Sequence, residues 1–140
     1  MAQDTESEVS QLLLQHYGTK TLEFCNNKDY DLLVENTNGD IILIEIKEDF
    51  QCGKTSRLAV EIESWGRPSG LMTTSATHYI HKLHGSEGVE FWITTTEALK
   101  KLYDERKFPM IVNGGDKGSN SLNILFYLSV FKEASKQLFV

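Results

Sequence analysis

The stretch "KDYDLLVENTNGDIILIEIKED", residues 28 to 49, constrains this chain more than any other. Two apolar runs, Asp31 to Glu35 and Ile41 to Lys47, flank Asn36-Thr37-Asn38-Gly39-Asp40, and Asn-Gly is among the strongest short hairpin signals. Side chains alternate along a strand. Leu43, Glu45 and Lys47 therefore share one face, and Ile42, Ile44 and Ile46 the other. A strand that opens Ile41-Ile42-Leu43-Ile44 asks for a core, yet it ends in Glu45-Ile46-Lys47, with Asp31 at the start of its partner. Two carboxylates that close repel unless a proton or a cation sits between them. Mg²⁺ suits oxygen ligands and takes one or two carboxylates plus waters, and the Ile46 carbonyl at a strand end would add to such a set. Lys47 would then orient a metal-bound water and stabilise charge building on a phosphate. Asp29 is an alternative ligand; Asp31 is preferred because it directly begins the apolar run.

The rest of the chain supplies a frame for that hairpin. Residues 5 to 17 read as an opening helix, with Thr5 and Glu8 at capping-box spacing, Val9, Leu12, Leu13 and Tyr17 on one stripe, and Gly18 as the stop. "SRLAVEIES", residues 56 to 64, alternates with Leu58, Val60 and Ile62 on one face and Glu61 and Glu63 on the other. "GRPSG" is a turn, and from Thr73 the spacing of Ala76, Tyr79, Ile80 and Leu83 predicts a helix. "VEFWIT" is a strand, Thr94 and Glu97 cap a helix carrying Leu99, Leu102 and Tyr103, and "LNILFYLSV" closes the sheet as a strand. The expected order is α-β-β-β-α-β-α-β in one domain spanning residues 1–140, an α/β fold with a mixed sheet.

Charge and length exclude some functions. A net charge of −6 argues against a protein that coats nucleic acid electrostatically, an objection that weakens where a divalent cation supplies the positive charge. No apolar run approaches a bilayer span and the N-terminus "MAQDTESEVS" is polar, so the expected location is the cytoplasm, with no membrane partner. Cys25 and Cys52 form no C-x-x-C pair and read as reduced thiols.

Asp31, thirteen residues, then Glu45-Ile46-Lys47 resembles the D-x(n)-(D/E)-x-K core of the PD-(D/E)XK nuclease superfamily, which includes restriction enzymes and Holliday-junction resolvases. The α-β-β-β-α-β order is that of the superfamily's common core. The resemblance implies a restriction-endonuclease-like αβββαβ core whose mixed central sheet is flanked by helices. It also implies an Mg²⁺- or Mn²⁺-dependent deoxyribonuclease with Asp31, Glu45 and Lys47 as its catalytic residues. In the resolvase-like branch the first helix often adds an acidic residue to the metal site; Glu8 matches best, with Glu6 the fallback. "GRPSGLMTTSATHYIH" resembles a segment of small phage proteins of this superfamily, which implies phage origin and, for a phage protein, the host cytoplasm. The chain departs from the pattern in having Tyr30 where Pro is usual and no Asp near Thr77.

Around this core, Lys54, Arg57 and Arg67 would grip phosphates, with Ser69, Thr73 and Thr74 donating hydrogen bonds and a helix N-terminus at Thr73-Thr74 as a phosphate seat. Each taken singly reads as a surface residue or a cap. Glu61 and Glu63 either line the metal site or form a solvated face. His78, His81 and His84 drift around the expected helix and read as surface histidines, His81 being the one that could neighbour DNA. "GGDKGSNS" lacks the order of a nucleotide loop and reads as a surface loop whose Lys117 could touch a DNA backbone. Trp92 reads as core, and Trp65 is the aromatic placed to stack on a base. Cutting both strands would call for a homodimer, and "LNILFYLSVFKEASKQLFV" would supply either its interface or a last strand and helix of the core. The alternative function is a non-catalytic nucleic-acid- or protein-binding module on the same fold, because a strand E-x-K is also an ordinary surface ion pair.

Overall fold

The structure is a computed structural model that describes residues 2–25, 30–108, 110–114 and 120–139. In chain order it runs α1 (Ala2–Tyr17), β1 (Lys20–Phe24), β2 (Leu32–Glu35), β3 (Ile41–Asp49) and the short α2 (Cys52–Thr55). Then come β4 (Arg57–Ser64), β5 (Arg67–Pro68), a 3₁₀ turn (Gly70–Met72), β6 (His78–Gly85) and β7 (Gly88–Thr95). The chain continues through α3 (Thr96–Asp104), β8 (Met110–Gly114), β9 (Ser121–Tyr127), α4 (Leu128–Glu133) and β10 (Lys136–Leu138). The fold is mixed α/β.

Six strands form a central sheet in the order β1-β2-β3-β6-β7-β10, and four form a second sheet, β5-β4-β9-β8. Pairing in the central sheet is antiparallel except at β3 and β6, which run parallel, so the sheet is mixed. Parallel neighbours need a long crossover. Here α2, β4, β5 and the 3₁₀ turn provide it, in place of the expected helix. The second sheet is antiparallel throughout.

Each face of the central sheet has its own core. On one side Val9, Leu12 and Leu13 of α1 pack on Leu32, Val34, Ile44, Ile80, Phe91 and Leu138. On the other, Tyr79 and Leu83 meet Leu58, Val60, Ile62, Ile124 and Phe126 of the second sheet, with Leu99 of α3 and Phe131 of α4. Among the described residues no helix is long and apolar enough to cross a membrane.

Several expectations are corrected. Residues 73 to 83 are not a helix but a loop leading into β6, so no helix N-terminus seats a phosphate at Thr73-Thr74. The pattern misleads because β6 is central: Tyr79, Ile80, His81 and Leu83 are all buried, on alternating faces. Lys20–Phe24 pairs with β2 as an edge strand, largely exposed and without periodic signal. α1 begins before Thr5, whose hydroxyl is buried and donates to Glu48 Oε1 at 2.8 Å rather than capping the helix. Thr95, not Thr94, caps α3, accepting from Ala98 N–H at 3.0 Å. "GRPSG" contains β5, which pairs back on β4 across Trp65-Gly66. The C-terminal run is strand, helix and strand: β9 joins the second sheet and β10 the first, and Ile124, Phe126, Phe131 and Leu138 are buried in the two cores rather than offered to a dimer partner. Asp29 and Lys117 lie outside the described residues.

Candidate active site

The hairpin forms as its sequence demands. Leu32 pairs with Ile44 and Glu35 with Ile41, around a turn in which the Asn36 carboxamide accepts from Asn38 N–H and Asp40 N–H, both at 2.9 Å. Gly39 takes φ +84°, a conformation that suits glycine. This register carries Asp31 level with Glu45, in the middle of β3 and just past the last β2–β3 pair. Its N–H donates to the Ile44 carbonyl at 2.8 Å, and its Oδ2 accepts from Ile46 N–H at 2.7 Å.

Glu45 and Lys47 stand beside it. Lys47 Nζ lies 3.5 Å from Glu45 Oε2, and Thr74 donates to Glu45 Oε1 at 3.5 Å. The Glu45 side chain is 15% exposed and the Lys47 side chain 53%, so the ammonium is the more solvated member of the pair. Burial raises the Asp31 pKa, against the pull of Ile46 N–H and the Lys47 charge. Burial likewise raises Glu45; Lys47 opposes it and the Asp31 charge adds to it. The two acids therefore feel each other as well as the shared ammonium.

The parallel register sets β6 next to this group, with Tyr79 opposite Glu45 and His81 opposite Lys47. Tyr79 is buried, and its phenol is held protonated by burial and by the charges of Glu45, Glu61 and Asp31. Glu61 arrives from β4, where the pairing with β9 slips between Glu61 and Glu63 while Leu58, Val60 and Ile62 stay buried and both acids half-buried, as alternation along the strand requires. Ser69 donates to Glu61 Oε2 at 2.9 Å. Gly70, at φ +55°, packs so tightly that a Cβ would lie 2.3 Å from the Glu61 carbonyl oxygen.

Beyond Lys47 a cleft of about 920 Å³ opens between the end of β3 and the second sheet, with Arg57, Glu61, Tyr79 and His81 in its wall. His81 is not a surface residue. It is 2% exposed, stacks on Tyr79 at 5.8 Å and meets Phe131 edge-on at 5.0 Å. Burial, then the Lys47 charge, push its pKa down to about 3, so the imidazole is neutral. Its Nδ1 is buried with no hydrogen-bond partner among the described residues.

The structure thus gathers Asp31, Glu45, Ile46 and Lys47 and connects Thr74 to them. Glu6 joins by charge, its pKa raised by burial and by Asp31. Glu8 is engaged elsewhere, its Oε1 2.6 Å from Lys82 Nζ. Arg57 lies over the Tyr127 ring at 5.9 Å, and Lys54, Arg67 and Thr73 are exposed outside the cluster. Trp65 is exposed at the β4–β5 turn, whereas Trp92 packs partly buried against the core. His84 Nε2 meets Glu48 Oε2 at 2.7 Å, and His78 Nδ1 meets the Thr77 hydroxyl at 2.8 Å. Cys25 and Cys52 are free and buried. Among the described residues no three His, Cys, Asp or Glu side chains converge as a preformed metal cage. The sequence passes over Tyr79 and takes His81 for a surface histidine because their segment reads as helical; read as a strand, "HYIHKL" puts Tyr79, His81 and Leu83 on one face.

No protein-family model, curated protein or solved structure matches this chain.

Proposed function

We propose that the chain is a divalent-cation-dependent nuclease that hydrolyses DNA phosphodiester bonds, on a restriction-endonuclease-like core. The observation that carries this reading is the meeting of Asp31, Glu45 and Lys47 where β2 begins beside the middle of β3, with both acids pushed toward neutrality by burial. The α-β-β-β order of α1 to β3 is in keeping with it, although the following helix is replaced by the excursion through the second sheet.

The donor set fits Mg²⁺ or Mn²⁺. Two partly buried carboxylates beside the carbonyl of Ile46, which lies beyond the last β2–β3 pair, are hard oxygen donors whose mutual repulsion a cation relieves. One Asp31 oxygen is tied to Ile46 N–H, which fixes the carboxylate's orientation, while among the described residues its second oxygen has no backbone partner of that kind. The cation, when bound, neutralises charge on the phosphate and eases deprotonation of water. Lys47, the exposed member, aligns the attacking water and balances charge as the P–O bond breaks. Tyr79, held as a phenol beside Glu45, is a hydrogen-bond donor at any working pH. Glu6 is the α1 acid best placed by charge to support Asp31, in preference to Glu8.

The test is cleavage of single-stranded, duplex, flapped and four-way DNA by purified protein with Mn²⁺. Cleavage of at least one is expected. Asp31→Ala and Lys47→Ala should each lower the rate by about 10²–10³-fold while unfolding as cooperatively as the parent. No cleavage of any substrate by the parent protein overturns the enzyme reading. A non-catalytic binding module is the second reading, favoured by the Lys47–Glu45 ion pair, which already supplies an internal counter-charge. That module would show no Mn²⁺ binding that Glu45→Gln removes.

A further inference from the structure

We propose that the cleft beside Lys47 receives an unpaired nucleobase, the one flanking the phosphate under attack, and that His81 hydrogen-bonds its edge. This deepens the nuclease reading and rests on it.

Size and charge together select the occupant. A cleft of about 920 Å³ falls in the range that encloses small organic molecules. Its wall carries two cations, Lys47 and Arg57, against three carboxylates, Glu48, Asp49 and Glu61. Glu48 is already bonded to Thr5 and His84 beside Lys82, so a run of phosphates finds no net attraction there, except at the two cations. An uncharged flat ring needs none.

His81 gives the cleft a reading group. His81 lines the cleft, and among the described residues its Nδ1 is buried without a partner, which is uncommon because other groups normally satisfy such an atom; closed to solvent as it stands, it meets a base edge only when the ring turns toward the cleft. The neutral imidazole has one donor and one acceptor nitrogen, the two kinds of group that a base edge pairs with. His81 is also the register partner of Lys47, so a phosphate held at Lys47 brings its own nucleotide to the His81 wall. At the mouth Phe50, 60% exposed and stacked on His84 at 4.2 Å, offers a face on which a ring can lie. A base paired within a duplex could not enter. The favoured substrates are therefore single strands, flaps or mispaired sites, where a base leaves the stack at low cost.

The experiment is an abasic scan of a short single-stranded DNA, with affinity read by fluorescence anisotropy in Ca²⁺ and cleavage of the intact oligonucleotide read separately in Mn²⁺. Removing the base at one or two positions flanking the cleavage point should weaken binding by about tenfold, and removal elsewhere should have little effect. His81→Phe should weaken the intact strand by a similar factor yet bind the abasic strand as the parent does. Phe50→Ala, at an exposed position that does not threaten folding, should behave in the same direction. A flat scan with cleavage intact overturns the base pocket and spares the nuclease reading. A position-specific loss without cleavage supports the pocket and overturns the nuclease reading. If the His81→Phe, Phe50→Ala and abasic effects simply multiply, or if no strand binds, the pocket is overturned.

Discussion

At the level of single residues, the site is held by a few positions with little freedom. Gly70 is the clearest: its positive φ and its approach to the Glu61 carbonyl leave no room for a Cβ. Gly70→Ala should lower stability by about 1–3 kcal/mol, visible as a lower urea midpoint, and should displace Glu61 from the cleft. The acids behave in the opposite sense. A carboxyl whose folded pKa is raised, as burial raises Asp31 and Glu45, favours the fold while protonated, and that contribution is lost as pH rises through the raised value. Glu45→Gln should therefore raise the Tm of the cation-free protein at neutral pH, flatten this part of its pH dependence, and abolish cleavage. A lower Tm at neutral pH would mean that attraction to Lys47 outweighs burial. These two acids and Lys47 were legible in the sequence because one hairpin, specified by local turn chemistry, brings them together. Tyr79 was not, and Glu61 and His81 were legible only as one of two alternatives each, since all three come from strands whose placement depends on long-range pairing.

At the level of elements, α1 is fastened to the central sheet by more than its apolar stripe. Thr5 and His84 hydrogen-bond Glu48, while Lys82 lies 2.6 Å from Glu8 and 3.8 Å from Glu48. Burial pushes the Glu48 pKa up, but the bonds from His84 and Thr5 and the Lys82 charge hold it below the usual carboxylate range. Its contribution is thus present above the ordinary carboxylate pKa and lost as pH falls through the depressed one. Glu48→Gln should cost about 1–2 kcal/mol at neutral pH and progressively less in acid, a trend opposite to that of Glu45 and measurable by denaturant titration across pH. The β4–β5 turn makes a different point. Trp65 sits at φ +53° before Gly66, where Asn or Gly is the relaxed choice. Trp65→Gly should leave stability unchanged or raise it by up to about 1 kcal/mol in thermal melts. Elements were legible where one face is wet, as in β3, β4 and α1. They were misread where burial is two-sided, as in β6, or nearly absent, as in β1.

At the level of the whole molecule, the two cores depend on segments from opposite ends of the chain. Leu138 of β10 packs in the core that α1 covers, and the Tyr17 hydroxyl accepts from Phe139 N–H at 2.9 Å. Leu138→Ala should cost about 2–4 kcal/mol and should loosen α1 along with β10, read by hydrogen exchange in both. The parallel seam between β3 and β6 has a consequence in time. Ile44 pairs with His78, so the seam forms only after the whole crossover between them has been synthesised, and the β9 wall comes later still. On the ribosome, a nascent chain that has emerged only as far as Phe50 already carries both acids and the lysine, with α1, β1 and β2 beside β3 but without β6, which covers the other edge of β3. The cleft beside Lys47 is completed late in translation, when distant strands dock.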